Sequence, residues 1–453
     1  MAEFTVSDVC NATGGKSKSN FRTEFSGIST DTRTIKSGNL FVALVGEQFD
    51  GHNFIDKAIE KGAAGILISS CLSNSYGNNI AIIEVENTLK AYQDIAAYHR
   101  NRFKIPVIAI TGSNGKTTTK DLTAAVLSSR FTVLKTQANY NNEIGLPYTL
   151  LNLNNDHEVA VVEMGMRGLG EIRELAEIAR PTMGIVTNVG ETHIELLGSV
   201  QNIANAKAEL VESLSQDGVA ILNADNRLVS DMRSKTCARI LLYGIESQCD
   251  VKADNIRTNE LQTRFECKTT KGTFEVVVPA IGRHNVYNAL AAIAAGLELG
   301  LTFNEIKDGL KSFSPSAMRL SIDKIGPYKV INDAYNASPM SMNAAIDTLI
   351  EVAGARSIAV LGDMLELGEF AIEAHRQIGK KLAECGVNVV VTVGECAKHI
   401  SETAKKSGIN AAVSCDSHDQ AKEYLQTILK PGDTILIKGS RGMKMEKILE
   451  KLM

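Results

Sequence analysis

The sequence predicts an α/β protein of three domains, and three observations carry that expectation. The chain has 453 residues, and a domain usually takes about 150. Short, continuous apolar runs alternate with segments of helical period, as in a parallel sheet covered on both faces. One of those runs leads directly into a glycine-rich turn that opens a helix. Composition adds exclusions. With 48 Lys and Arg against 52 Asp and Glu, the net charge is −4, which argues against general nucleic-acid binding. Only 8 prolines argue against long Pro-rich linkers.

The first region, 1–104, contains the strand-like runs 40–45, 65–68 and 80–83, with a helical segment 54–61 closed by Gly62. Its first eight residues lack the basic and apolar blocks of a secretory signal, and no apolar run in the chain approaches the ~20 residues of a membrane span. The longest candidate, 289–299, reads as a buried alanine-rich helix. The second region, 105–318, opens with the strand 106–111. Strands 159–162, 183–186 and 219–222 then alternate with helices 171–180 and 200–214. Polar–apolar alternation over 250–278 predicts added antiparallel strands. The third region, 319–453, has strand runs 329–331, 357–361, 388–393 and 434–437 separated by helices, which predicts a second, Rossmann-like doubly wound sheet. The eight cysteines, at 10, 71, 237, 249, 267, 385, 396 and 415, include no C-x-x-C pair and read as free thiols of a reducing cytoplasm.

The strongest local signal is Thr111-Gly112-Ser113-Asn114-Gly115-Lys116-Thr117-Thr118. Glycines let backbone N–H groups converge on phosphate oxygens, and the helix N-terminus adds its dipole. Lys116 would reach the β/γ-phosphates and the Thr117 hydroxyl a Mg²⁺ ion. Ile110 stands where the usual phosphate loop has its first glycine. Three further residues follow predicted strands or sit on predicted helices. Glu163 ends a strand, where it suits either a magnesium carboxylate or ordinary strand termination. His193 follows a strand and is compatible with a site or a structural role. Lys207, by residue type alone, reads as a solvated helix lysine.

The loop resembles that of the Mur ligases, the ATP-dependent amide-forming enzymes of peptidoglycan precursor synthesis, whose loop also lacks the earlier glycine. Matches extend along nearly the whole chain: Asn139 to Pro147, Glu163-Met164-Gly165, Asn188 to His193, Lys207-Ala208-Glu209, Asn223-Ala224-Asp225 and Gly282 to Ala289. Within the family, Asp333 to Met342 and Lys438 to Glu446 are similar to signatures of the member that adds a D-Ala-D-Ala dipeptide, with Ser338 in place of a usual Asn. The D-N-P-R motif typical of the member that adds the third amino acid is absent. Ser29-Thr30-Asp31-Thr32-Arg33, Gly38 to Leu44 and Asp50 to Phe54 resemble the domain that holds the UDP-sugar.

The resemblance implies ATP-driven joining of D-Ala-D-Ala to UDP-MurNAc-tripeptide through an acyl phosphate. It implies a UDP-sugar domain, a central ATP-binding domain and a C-terminal domain that completes the nucleotide site and binds the dipeptide. Lys116, Glu163, His193 and Lys207 become the catalytic set. Gly112, Ser113, Asn114, Gly115, Lys116, Thr117 and Thr118 hold phosphates, with Asn285 on the adenine side, Arg319 at the γ-phosphate and Asp333 at the ribose. By the same resemblance, two Mg²⁺ ions would sit at Thr117 and Glu163 and near His193 and an N-carbamylated Lys207. Ser29, Asp31, Arg33, Asn139 and Asn142 bind the UDP-linked substrate, although a structural role stays open for Asp31 and Arg33. Ser440 and Arg441 are suspects for the dipeptide carboxylate. The implied protein is a monomer of the bacterial cytoplasm with small-molecule substrates. Competing readings are a ligase for another acceptor, such as a single amino acid or folate glutamates, a nucleotide switch and a phosphotransferase. The guanine-reading N-K-x-D motif of a switch is absent.

Overall fold

The computed structural model describes residues 3–18, 24–46, 49–69, 80–259, 262–316 and 318–451. Cys71 and the first two residues lie outside them. The other seven cysteines are unpaired.

Each predicted region is built on its own sheet. In the first, Ile28–Ser29, Leu40–Val42, Gly65–Ile68 and Ala81–Glu84 run parallel in that order, and Lys16–Ser17 adds an antiparallel edge. The strand expected over 40–45 stops at Val42. Leu44 turns out of the sheet because its carbonyl accepts from Gly51 N at 2.7 Å.

The central sheet has nine strands in the order Gly272–Val278, Thr263–Thr269, Val251–Thr258, Arg239–Gly244, Val219–Asn223, Met183–Val186, Val107–Thr111, Val159–Glu163 and Val133–Lys135. The first two pairings are antiparallel and the rest parallel. Alternate residues of its inner strands join different cores. Ile108, Ile110, Val161 and Ile185 pack under the helices Lys116–Leu127 and Arg283–Glu298. Val107, Ala109, Val162 and Val186 pack on the other face with Ile172, Leu175 and Leu210. Both faces are therefore covered, which is why these strands read as uninterrupted apolar runs. The alanine-rich helix Arg283–Glu298 is buried as expected.

The third sheet runs Ser321–Ile325, Tyr328–Asp333, Asp433–Lys438, Arg356–Gly362, Val389–Val393 and Ala412–Cys415, and only its first pair is antiparallel. Helices Pro339–Val352 and Ala371–Glu384 cover one face, and His418–Ile428 the other. This is the doubly wound arrangement the sequence predicts. No helix among the described residues is long and apolar enough to cross a membrane.

Candidate active site

The order of the central sheet sets the place of the site. Strand Val107–Thr111 lies between Val159–Glu163 and Met183–Val186, and the chain leaves it in one direction and returns on the other side. Such a switch point opens a crevice at the carboxyl ends of the strands. Gly112–Gly115 fills that crevice. Gly112 has φ +152° and Gly115 +80°, and a Cβ would lie 1.9 Å from Thr187 Oγ1 at the first and 2.6 Å from Asn288 Oδ1 at the second. Neither position tolerates a side chain. Ile110, where the longer loop would have glycine, is fully buried inside the strand. The loop here simply starts later.

Neighbouring strand ends hold the loop from beneath. Ser113 Oγ donates to Gly190 O at 3.1 Å and accepts from Gly190 N at 2.9 Å. Asn114 N donates to Asn188 Oδ1 at 2.9 Å, and Thr187 Oγ1 donates to Asn114 O at 2.6 Å. Thr118, on the first turn of helix Lys116–Leu127, lines the cavity beside Gly115 and Lys116. The N–H groups of that turn have no intrahelical acceptor, so an anion-binding end faces open space. Lys116 Nζ folds back to Gly112 O at 2.8 Å. Burial lowers its pKa, Glu163 opposes the shift, and the charge of Arg319 adds to it.

Glu163 and Thr117 are brought together, with Thr117 Oγ1 donating to Glu163 Oε2 at 2.8 Å. Asn141 Nδ2 donates to the other carboxylate oxygen at 2.7 Å. A hydroxyl and a carboxylate are the hard oxygen donors magnesium prefers. Among the described residues no cluster of three or more His, Cys, Asp or Glu could hold a metal, so an ion here needs phosphate oxygens and water to complete its shell.

Lys207 corrects the solvated-lysine reading. It lies in helix Val200–Glu212 and is only 2% exposed. It makes no ion pair or hydrogen bond among the described residues. Burial and the nearby Lys116 charge push its pKa well below the ordinary lysine value. His193 sits at φ +65°. Its Nδ1 lies 2.6 Å from Glu366 Oε2 of the third domain. Burial lowers its pKa, Glu366 opposes the shift, and Lys116 and Lys207 reinforce it.

Residues of the third region face the loop across the cavity. The Arg319 guanidinium stacks on Tyr335, 3.8 Å from the ring centroid. Asp333 is ion-paired with the buried Lys438 and accepts from Leu320 N at 3.1 Å. Ser338, the departure from the family pattern, caps helix Pro339–Val352 and donates to Asn114 Oδ1 at 3.0 Å, which ties the third domain to the phosphate loop. Asn285 stands behind the loop, linked through Asn288 to Thr119. His284 beside it is held neutral by burial, with a pKa lowered to about 4 despite Asp333.

On the first domain, Asp31 and Arg33 form an exposed ion pair, and Ser29 Oγ donates to Asp31 O at 3.1 Å. Across from them Asn139 is exposed, while Asn142 Oδ1 accepts from Gly145 N at 2.9 Å. A single cavity of about 1640 Å³ is lined by residues of all three regions. It includes every site residue named from the sequence except Gly112, and also Ser440 and Arg441. Sequence reading missed Asn141, Asn188, Tyr335, Glu366 and Lys438. Of these, Asn141, Asn188, Tyr335 and Lys438 stand inside segments that carried the family resemblance, but their partners are distant in sequence.

Three family models cover the chain: "Mur ligase family, catalytic domain" at 24–100, "Mur ligase middle domain" at 110–296 and "Mur ligase, glutamate ligase domain" at 318–441. The UDP-N-acetylmuramoyl-tripeptide–D-alanyl-D-alanine ligase of Bacillus subtilis is 40% identical, over 95% of this chain and 94% of its own. The Escherichia coli protein of that name is 36% identical over 94% and 93%. A crystal structure of MurF from Acinetobacter baumannii superposes with a TM-score of 0.93 at 32% identity, covering 100% and 99% of the two chains. MurF from Thermotoga maritima in complex with ADP gives 0.84 at 29% identity over 94% and 96%. The chain belongs to the Mur ligase family.

Proposed function

We propose that the chain is an ATP-dependent ligase that joins D-Ala-D-Ala to UDP-N-acetylmuramoyl-tripeptide, giving the UDP-linked pentapeptide, ADP and phosphate. The observation that carries this reading is full-length similarity to ligases of that name, up to 40% identity over 95% of the chain. The cavity supports it, since phosphate-loop groups, UDP-side groups and third-domain groups line one space. Residues 1–104 would hold the UDP-sugar, with Ser29, Asp31 and Arg33 of that region and Asn139 and Asn142 of the central one binding the UDP-linked substrate. Residues 105–318 would bind ATP, and 319–453 would complete that site and take the dipeptide. The protein would work as a monomer in the bacterial cytoplasm.

In the first step the tripeptide carboxylate attacks the γ-phosphorus, the bond to ADP breaks and an acyl phosphate forms. Two anions must approach, and at ~4 Å they repel by about 4 kcal/mol at an effective dielectric of 20. Lys116, the helix N-terminus and Arg319 supply the fixed positive charge that offsets this. Asn285 would border the adenine and Asp333 the ribose. Magnesium, where bound by Thr117 with Glu163 and by His193 with a modified Lys207, would add Lewis-acid neutralisation of the same oxygens. In the second step the dipeptide amine, after losing a proton from its ammonium form, attacks the acyl carbon, and the C–O bond to phosphate breaks. Closure of the third domain through Ser338 and Glu366 keeps water from the acyl phosphate.

Lys207 fits N-carbamylation. Burial and the Lys116 charge lower the pKa of Lys207, which favours loss of its proton, and the neutral amine is the form that combines with carbon dioxide. The resulting carboxylate-like anion would attract Lys116, whose charge counts against a protonated Lys207. The test is acceptor dependence. Phosphate release should require both the UDP-tripeptide and D-Ala-D-Ala. Release that proceeds equally with a single amino acid, or with either substrate missing, would point to another reaction.

A further inference from the structure

Residues 318–320 open the third region, and their backbone is under constraint. Met318 and Leu320 have φ +58° and +57°, a conformation that bulky residues hold only when their surroundings impose it. Three bonds impose it here. Arg319 N donates to Ser316 O at 3.3 Å and Tyr335 N to Met318 O at 3.2 Å, while Leu320 N donates to Asp333 Oδ1 at 3.1 Å. Arg319 lies between the two left-handed residues, and the constrained chain lays its guanidinium on the face of Tyr335.

The chemistry of that contact is specific. Arg319 makes no ion pair and no side-chain hydrogen bond among the described residues. An aromatic face attracts a cation without neutralising it and without occupying its donors. The in-plane N–H groups of the guanidinium stay available for an anion, and that fork suits phosphate oxygens. A carboxylate partner would compete with the phosphate for those donors. The Tyr335 hydroxyl makes no hydrogen bond among the described residues, so its ring is the part in use. Arg319 also lies near enough to Lys116 for its charge to register there.

We propose that Tyr335 is a positioning residue for Arg319: its ring fixes the guanidinium plane beside the phosphate loop and leaves the N–H edge to the terminal phosphate of ATP. The proposal rests on the reading that Arg319 meets the γ-phosphate. It predicts that removing the ring is felt by a nucleotide with a γ-phosphate and not by one without it.

The experiment measures binding of ADP and of a non-hydrolysable ATP analogue, by calorimetry, to the full-length protein and to Tyr335→Phe, Tyr335→Leu and Arg319→Ala. Tyr335→Phe should match the original protein with both nucleotides, which also shows that the position tolerates substitution. Tyr335→Leu should weaken the analogue by roughly five- to thirty-fold, the range such a contact is worth, and leave ADP unchanged. Arg319→Ala should weaken the analogue at least as much. Loss of both nucleotides alike in Tyr335→Leu would make the ring merely structural and overturn the proposal. An unaffected Tyr335→Leu beside a weakened Arg319→Ala would overturn it while leaving the Arg319 reading intact. An unaffected Arg319→Ala would remove that reading itself.

Discussion

Two crevices, at the carboxyl ends of the central and third sheets, each bury a lysine, and they treat it in opposite ways. Lys438 and Lys207 are both 2% exposed. Lys438 is neutralised inside the fold, paired with Asp333 and donating to Asn336 O at 2.9 Å. Lys207 has no carboxylate within ion-pair distance among the described residues, and Lys116 is the nearby charge that counts against it. A buried charge without a partner is unfavourable to the folded state. Where it persists, the position serves something other than stability. The lysine of the third crevice is neutralised within the fold, and that of the central one has no neutralising partner among the described residues.

Substitutions should separate the two. The largest effect is expected from Lys116→Ala, which should lower the rate of phosphate release by roughly a hundredfold or more, as loss of one preorganised charge at a transition state does. Its thermal midpoint should stay the same or rise. Near-normal turnover would remove Lys116 from the phosphate site. Next, Lys438→Met leaves the half-buried Asp333 without its cation and should reduce unfolding free energy by about 3 kcal/mol in denaturant titrations. Lys207→Met, in protein depleted of carbon dioxide, should be neutral or stabilising by about 1 kcal/mol, yet should lose at least roughly tenfold in turnover. Equal destabilisation by the two methionine variants would erase the contrast.

The smallest effect concerns acid. His284, on the border of the two crevices, has a pKa lowered from 6.5 to about 4 by burial. As pH falls below about 6.5 the unfolded chain takes up a proton that the folded chain refuses. Stability is therefore lost as pH falls from 6.5 towards 4, by at most about 1.4 kcal/mol per pH unit. His284→Gln should flatten that part of the stability curve. A slope identical to that of the original protein would place the titration elsewhere.

What could be read from the sequence follows the range of the interactions involved. The inner strands were legible because both faces are buried, so Val107–Thr111 and Val159–Glu163 carry no polar interruption. Short edge strands such as Val133–Lys135 and Ala412–Cys415 were not, since half-exposed edges accept polar residues. The phosphate loop was legible because its glycines and lysine act within one turn. Glu163 could be named, but its grip by Asn141 could not, and the burial of Lys207 contradicts what its helix suggests by residue type. Tyr335 under Arg319 and Lys438 against Asp333 depend on strands being adjacent in space, which no local pattern records.

The central claim is that this cavity drives amide formation through an acyl phosphate. It is tested most directly by placing an oxygen-isotope label in the terminal carboxylate of the UDP-tripeptide and analysing the phosphate released with ATP and D-Ala-D-Ala. Direct transfer through an acyl phosphate puts one labelled oxygen into that phosphate for each amide formed. Unlabelled phosphate alongside normal amide formation would contradict the account.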